Sequence, residues 1–199
     1  MNRHPITART ATPRPAHAAR PRERGFTLIE LLVTIAIAAI LIGLSASPMS
    51  QMFASNRVQS EASSFVSDLM YARSEAIRRG QSVSLCASAD KGVTCLGTNA
   101  WGSGWVVFPD STQCGSTVSP GSSQLRLRAA FKGTDTLGGT STKSCVTFNR
   151  DGFSTNLGTG RFVFQVQTAP VVTSTTRCIG INVGGRISST KITSGTTCP

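Results

Sequence analysis

Hydrophobic positions fall into three successive patterns along the chain. Residues 1–24 show no apolar period; Pro5, Pro13, Pro15 and Pro21 punctuate an Arg- and Ala-rich stretch and forbid a stable helix there. From Phe26 to Ser47 the sequence reads FTLIELLVTIAIAAILIGLSAS, 22 residues with one ionisable group, Glu30. As a helix this run would extend roughly 33 Å at about 1.5 Å per residue, enough for the hydrocarbon core of a bilayer. Beyond Pro48 a helical stripe takes over. Ala54, Val58, Ala62, Phe65, Val66, Leu69, Ala72, Ala76 and Ile77 recur at steps of three and four, with Arg57, Glu61, Asp68, Arg73 and Glu75 between them. Arg78 and Arg79 followed by Gly80 make a helix stop. The spacing predicts one helix of more than about 50 residues, membrane-spanning over 26–47 and amphipathic over 48–80, with Gly43 and Pro48 as the places for a bend.

From Gln81 the pattern becomes short strands separated by Gly- and Ser-rich turns. Expected strands are Ser82–Cys86, Gly104–Phe108, Gln124–Arg128, Cys145–Phe148, Arg161–Gln167, Arg177–Val183 and Arg186–Ile192. The apolar stripe of the helix needs a cover, and residues 81–199 are the material available. The fold class is therefore α+β: a long N-terminal helix packed on a small antiparallel sheet or sandwich.

Charge sharpens the orientation of the apolar run. Arg20, Arg22 and Arg24 precede it and the next charge after it is Arg57, so the N-terminus is expected in the cytoplasm and residues after about 50 outside it. The net charge of +11 is uneven. Residues 1–25 contribute +5, and +6 remains beyond them, which weakens any argument from charge alone for nucleic-acid binding.

All six cysteines, Cys86, Cys95, Cys114, Cys145, Cys178 and Cys198, lie beyond the apolar run, and none forms a Cys-x-x-Cys pair. An even number outside the membrane suits disulfides in an oxidising compartment rather than a zinc ribbon. Six cysteines allow 15 pairings. Proximity in sequence suggests Cys86–Cys95 and Cys178–Cys198, leaving Cys114–Cys145, with free buried thiols as the alternative.

Arg24-Gly25-Phe26-Thr27-Leu28-Ile29-Glu30 opens the apolar run. Here the chain resembles the type IV pilins and the type II secretion pseudopilins, whose leaders end in Gly before Phe-Thr-Leu-Ile-Glu. The resemblance implies that residues 1–25 are a leader, cut between Gly25 and Phe26 by a prepilin peptidase on the cytoplasmic face, with N-methylation of Phe26. A carboxylate inside an apolar helix is costly and needs a partner. In these families Glu30 would pair with the terminal amine of a neighbouring subunit during assembly. Ser74-Glu75-Ala76-Ile77-Arg78-Arg79-Gly80-Gln81-Ser82-Val83 and Trp101-Gly102-Ser103-Gly104-Trp105-Val106-Val107-Phe108-Pro109-Asp110 resemble signatures of the FimT and pseudopilin H (GspH) group, as do Phe148-Asn149-Arg150-Asp151-Gly152 and Gly184-Gly185-Arg186. The resemblance implies a pilin-like fold, a minor subunit of a pilus-like filament, other pilins as partners, and residence in the inner membrane with a periplasmic head over 81–199. Type IV pilus and type II secretion machines both fit it.

Catalysis is not expected. His4 and His17 both precede Gly25, no pair of acids resembles an acid–base couple, and Gly102-Ser103-Gly104 and Gly158-Thr159-Gly160 lack the Lys-Ser/Thr of a phosphate loop. No metal or cofactor is expected. The Trp pair reads as core rather than as a ligand platform. DNA is the remaining alternative. No acid occurs from Gly152 to Pro199, while Arg161, Arg177, Arg186 and Lys191 do. Some FimT-like minor pilins capture DNA through Gly-Arg-x-Arg; here Gly185-Arg186-Ile187-Ser188 keeps the first Arg and has Ser in place of the second. A solvated basic face is the plainer reading of the same residues.

Overall fold

The computed structural model describes residues 25–199 except 92, 115–122, 140–142, 158–160, 170, 193–197 and 199, and the side chains of 44–48 and 173 are likewise outside the description. The leader expected over 1–25 thus lies outside the described residues except for Gly25. Contacts divide the chain into two units, Met1–Leu44 and Ser45–Pro199.

Helix α1, Leu28–Arg79, is continuous, as the two successive apolar patterns predict. Thr27 caps its start: the Thr27 hydroxyl oxygen accepts the Glu30 N–H at 3.3 Å. Its end is a glycine cap. Gly80 adopts φ +63°, its N–H bonds to the Ile77 carbonyl, and the Gln81 N–H bonds to the Ala76 carbonyl. In the first unit every described residue from 25 to 43 is exposed. Among the described residues no helix is long and apolar enough to cross a membrane; the span expected over 26–47 runs on into 44–48, whose side chains lie outside the description.

The second unit is two antiparallel four-stranded sheets. One has the order β3 (Arg126–Ala129), β2 (Gly104–Pro109), β1 (Val83–Ala87), β5 (Cys145–Phe148); the other runs β4 (Thr136–Gly139), β6 (Phe162–Gln167), β7 (Arg177–Ile181), β8 (Ile187–Lys191). The stripe Val58, Ala62, Phe65, Leu69, Ala72 and Ala76 of α1 is buried in one cluster with Leu85, Trp105, Val107 and Phe148 of the first sheet and Phe164, Val166, Ile179 and Ile181 of the second. Neither sheet nor helix stripe could stay in water alone, so each completes the other's core. Phe65 is the centre: its ring meets Trp101, Trp105 and Phe164 edge-on at 5.5, 5.0 and 4.7 Å. Both tryptophans are buried, as expected of core residues.

Seven strands fall within a residue or two of their expected places, and β4 was not foreseen. Its sequence, Thr-Leu-Gly-Gly, carries no β signal. Gly139 is there because the Phe162 ring lies against it, 2.8 Å from where a Cβ would stand. The Asn99 side chain completes the strand, donating to the Gly139 carbonyl at 2.7 Å and accepting its N–H at 2.8 Å.

Candidate functional site

The first segment to weigh is the start of α1. Gly25 is exposed, and among the described residues nothing stands within 4 Å of the place a Cβ would take. Phe26 is 79% exposed, and Leu28, Ile29, Leu31, Leu32 and Val33 are half exposed or more. Glu30 sits among them in the first helical turn, where the N-terminal end of the helix favours negative charge. Among the described residues of its unit, nothing covers this apolar helical surface with its one acid.

Residues of α1 that face the sheets carry a second pattern. Glu61, Asp68 and Glu75 stand seven apart, on one side of the buried stripe. Asp68 is fully buried and accepts from Arg126 Nη1 at 2.8 Å, Arg128 Nε at 3.0 Å and Trp105 Nε1 at 2.9 Å. Burial alone would raise its pKa, but the hydrogen bonds from Arg128, Arg126 and Trp105 outweigh that and hold the carboxyl below the usual range. Glu75 is clasped by Arg78 and Arg79 and pulled down to about 2. Glu61 goes the other way. Burial and the neighbouring Asp135 carboxylate, which Arg57 clasps, push it up to about 7. Arg126 and Arg128 are tied inward to Asp68, with Arg126 also stacked 3.9 Å from the Tyr71 ring centroid. Sequence reading did not find this ladder; the seven-residue spacing of the acids was the available signal.

The six cysteines form three disulfides: Cys86–Cys95, Cys114–Cys145 and Cys178–Cys198. These are the pairings that proximity in sequence suggests. Asp110 lies beside Cys114 and Cys145, but bonded sulfurs offer no thiolate. The Asp110 oxygens accept from Ser84 Oγ, Thr112 Oγ1 and the Cys114 N–H, at 2.6 to 2.8 Å. That arrangement is structural.

Arg177, Arg186 and Lys191, among the residues considered for DNA, are split. Arg177 and Lys191 face each other across β7 and β8. Arg186 is at the opposite end of the hairpin, on the turn where the Asn182 side chain accepts its N–H at 2.9 Å. It shares a groove there with Arg73, whose Nε donates to the Gly152 carbonyl at 3.0 Å.

Residues 61–185, well over half of the chain, match the family model described as type II transport protein GspH. The chain belongs to the GspH family. Residues 20–46 match a second model, the prokaryotic N-terminal methylation motif, which covers Gly25, Phe26 and Glu30. The chain is also similar to solved structures. A crystal structure of the type IV minor pilin FimU of Pseudomonas aeruginosa is 27% identical with a TM-score of 0.52, over 67% of this chain and 87% of that one. Another crystal form of FimU gives 0.50, over 66% and 91%. The minor pseudopilin EpsH from the type 2 secretion system of Vibrio cholerae is 12% identical with a TM-score of 0.48, over 68% and 97%. No curated protein sequence matches. The fold is α+β and pilin-like, and the GspH family places the chain among the minor pilins and pseudopilins.

Proposed function

We propose that the protein is a minor subunit of a pilus-like filament, of the type IV pilus or type II secretion kind. A prepilin peptidase cuts between Gly25 and Phe26, the new amine is methylated, and the chain rests in the inner membrane with its head in the periplasm. From there it joins other pilins in the filament. The observation that carries this reading is the exposed apolar start of α1 with Glu30 as its lone acid, inside the N-terminal methylation motif. Buried among the helices of a filament, Glu30 and a neighbour's Phe26 amine would neutralise each other in a medium of low dielectric constant. Glu30→Ala should leave cleavage and membrane residence intact and lower the amount in purified filaments by at least about tenfold, because an unpaired buried ammonium costs several kcal/mol. Normal incorporation of the variant would remove Glu30 from the mechanism.

A second reading, capture of duplex DNA by the assembled subunit, is supported by the acid-free stretch 152–199 and by Arg186 beside Arg73. It predicts binding that weakens with salt and weakens further in Arg186→Ala. Binding no stronger than that of a neutral protein at low salt contradicts it. The separation of Arg186 from Arg177 and Lys191 limits the number of phosphates that one face engages.

A further inference from the structure

Strand register decides what two neighbouring disulfides can do to each other. In the pairing of β1 with β5, Cys86 stands directly opposite Cys145. One step along, the Ala87 N–H bonds to the Ser144 carbonyl. Hydrogen-bonded and non-hydrogen-bonded pairs alternate in an antiparallel ladder, so Cys86 and Cys145 form a non-hydrogen-bonded pair. Asn156 shows the same phase: its side chain bonds the Cys145 carbonyl at 2.7 Å and the Thr147 N–H at 3.0 Å, groups that therefore point away from β1. Cα atoms in such a pair lie about 4.5 Å apart, inside the roughly 4.4–6.8 Å that a disulfide spans. Leu85 and Val146 face the main core, so Cys86 and Cys145 share the opposite face of the sheet. There they pack in one cluster with Val106, Phe108, Cys95 and Cys114.

Each inner sulfur of this cluster is bonded to an outer one. Cys86 and Cys145 are buried, while their partners Cys95 and Cys114 are partly exposed. A thiolate arriving from solvent meets Cys95 or Cys114 first. Attack on Cys95 displaces Cys86, and attack on Cys114 displaces Cys145. Either way the displaced sulfur is a buried one, and apolar surroundings disfavour it as a thiolate. It also faces the inner sulfur of the second disulfide, which it can attack in turn. Both entry points therefore lead to the same product.

We propose that the two disulfides form a redox relay: a dithiol that attacks either one leaves a single cross-strand bond, Cys86–Cys145, and two thiols, Cys95 and Cys114. Entry at Cys95 illustrates the balance. One thiolate of the dithiol bonds to Cys95 Sγ, and the Cys95–Cys86 bond breaks. The Cys86 thiolate then bonds to Cys145 Sγ as the Cys145–Cys114 bond breaks. Asn156 Nδ2 donates to Cys114 Sγ at 3.4 Å, which gives the leaving sulfur a donor. The Asp110 carboxylate beside it favours the thiol over the thiolate, so Cys114 takes up a proton. Finally the second sulfur of the dithiol closes on the first and releases Cys95 as a thiol. One dithiol and two protein disulfides thus become one oxidised dithiol, one protein disulfide and two protein thiols. The exchange frees the loops that carry Cys95 and Cys114 from the sheet and keeps β1 tied to β5. Only the second unit takes part, so the proposal is independent of the filament reading.

The test takes the full chain in detergent, with its three disulfides closed, and adds a limiting amount of dithiothreitol. A mildly acidic quench, labelling with N-ethylmaleimide in denaturant and non-reducing peptide mapping then locate thiols and bonds. The two-thiol species should carry its labels on Cys95 and Cys114 and yield peptides joined through Cys86–Cys145. Cys178 faces Gln165 and Thr190 rather than a cysteine, so reduction of Cys178–Cys198 should label both of its own sulfurs and serves as the reference. Labels shifted instead to Cys86 with Cys95, or to Cys114 with Cys145, would overturn the proposal, because each bond would then open by itself. Cys95→Ser combined with Cys114→Ser tests the facing pair alone. Air oxidation of this double variant should close Cys86–Cys145 with loss of both thiols. Two free thiols persisting in the folded variant would overturn the proposal, and the mapping of the natural chain stands whether or not the variant folds.

Discussion

Glu61 and Asp68 stand two turns apart on α1 and titrate in opposite senses, because one has donors and the other has a second acid. Glu61 is raised to about 7 in the folded chain, above the roughly 4.3 of an unfolded one. Between those values the folded state holds the proton that the unfolded state has lost. This contribution to stability is therefore complete below about pH 4.3 and disappears as pH rises through about 7. Asp68, with a depressed pKa, loses its contribution only as pH falls below that window, and Glu75 and Asp90, held at about 2, stay ionised across it. Glu61→Gln should remove most of the fall in stability between pH 5 and 8, and at pH 8 should stabilise the fold by about 1–3 kcal/mol. Denaturant titrations of wild type and variant at the two pH values check this; parallel pH profiles would contradict it.

At the scale of elements, α1 and the two sheets hold together through tight backbone contacts as much as through the core. The turn joining β7 to β8 is held by the Gly185 N–H bond to the Asn182 carbonyl, and Gly185 adopts φ +71°. A Cβ there would stand 2.0 Å from the Gly152 carbonyl oxygen, which also accepts from Arg73. Backbone cannot move aside as a flexible side chain would. Gly185→Ala should cost about 2–3 kcal/mol, read by denaturant unfolding, and should loosen hydrogen-exchange protection of β8. A change below about 0.5 kcal/mol would show that the turn yields freely. The apolar periods make α1 and seven strands legible in the sequence, because each is written in side chains that must face a core. β4 is written instead in what packs against it, Phe162 and Asn99, and no local pattern holds that information. The acid ladder of α1 was hidden for a similar reason: its arginines come from β3 and from the helix itself, and only the fold brings Arg126 and Arg128 to Asp68.

For the whole molecule, the start of α1 and the head answer different demands. The second unit buries its stripe and its tryptophans, closes its six cysteines into three disulfides and pairs the buried acids Asp68 and Asp135 with arginines. The first unit leaves Phe26, Leu28, Ile29 and their neighbours exposed around Glu30. The motif from Gly25 to Glu30 was legible because its chemistry is local: a residue without a side chain before the proposed cut, then an acid five positions into an apolar run. The account stands or falls on the mature N-terminus, since the amine that would neutralise Glu30 exists only after cleavage. Mass spectrometry and N-terminal sequencing of the protein purified from membranes should find a chain that begins at Phe26 and carries one added methyl group on its amine. A chain beginning at Met1, or well beyond Phe26, would contradict it.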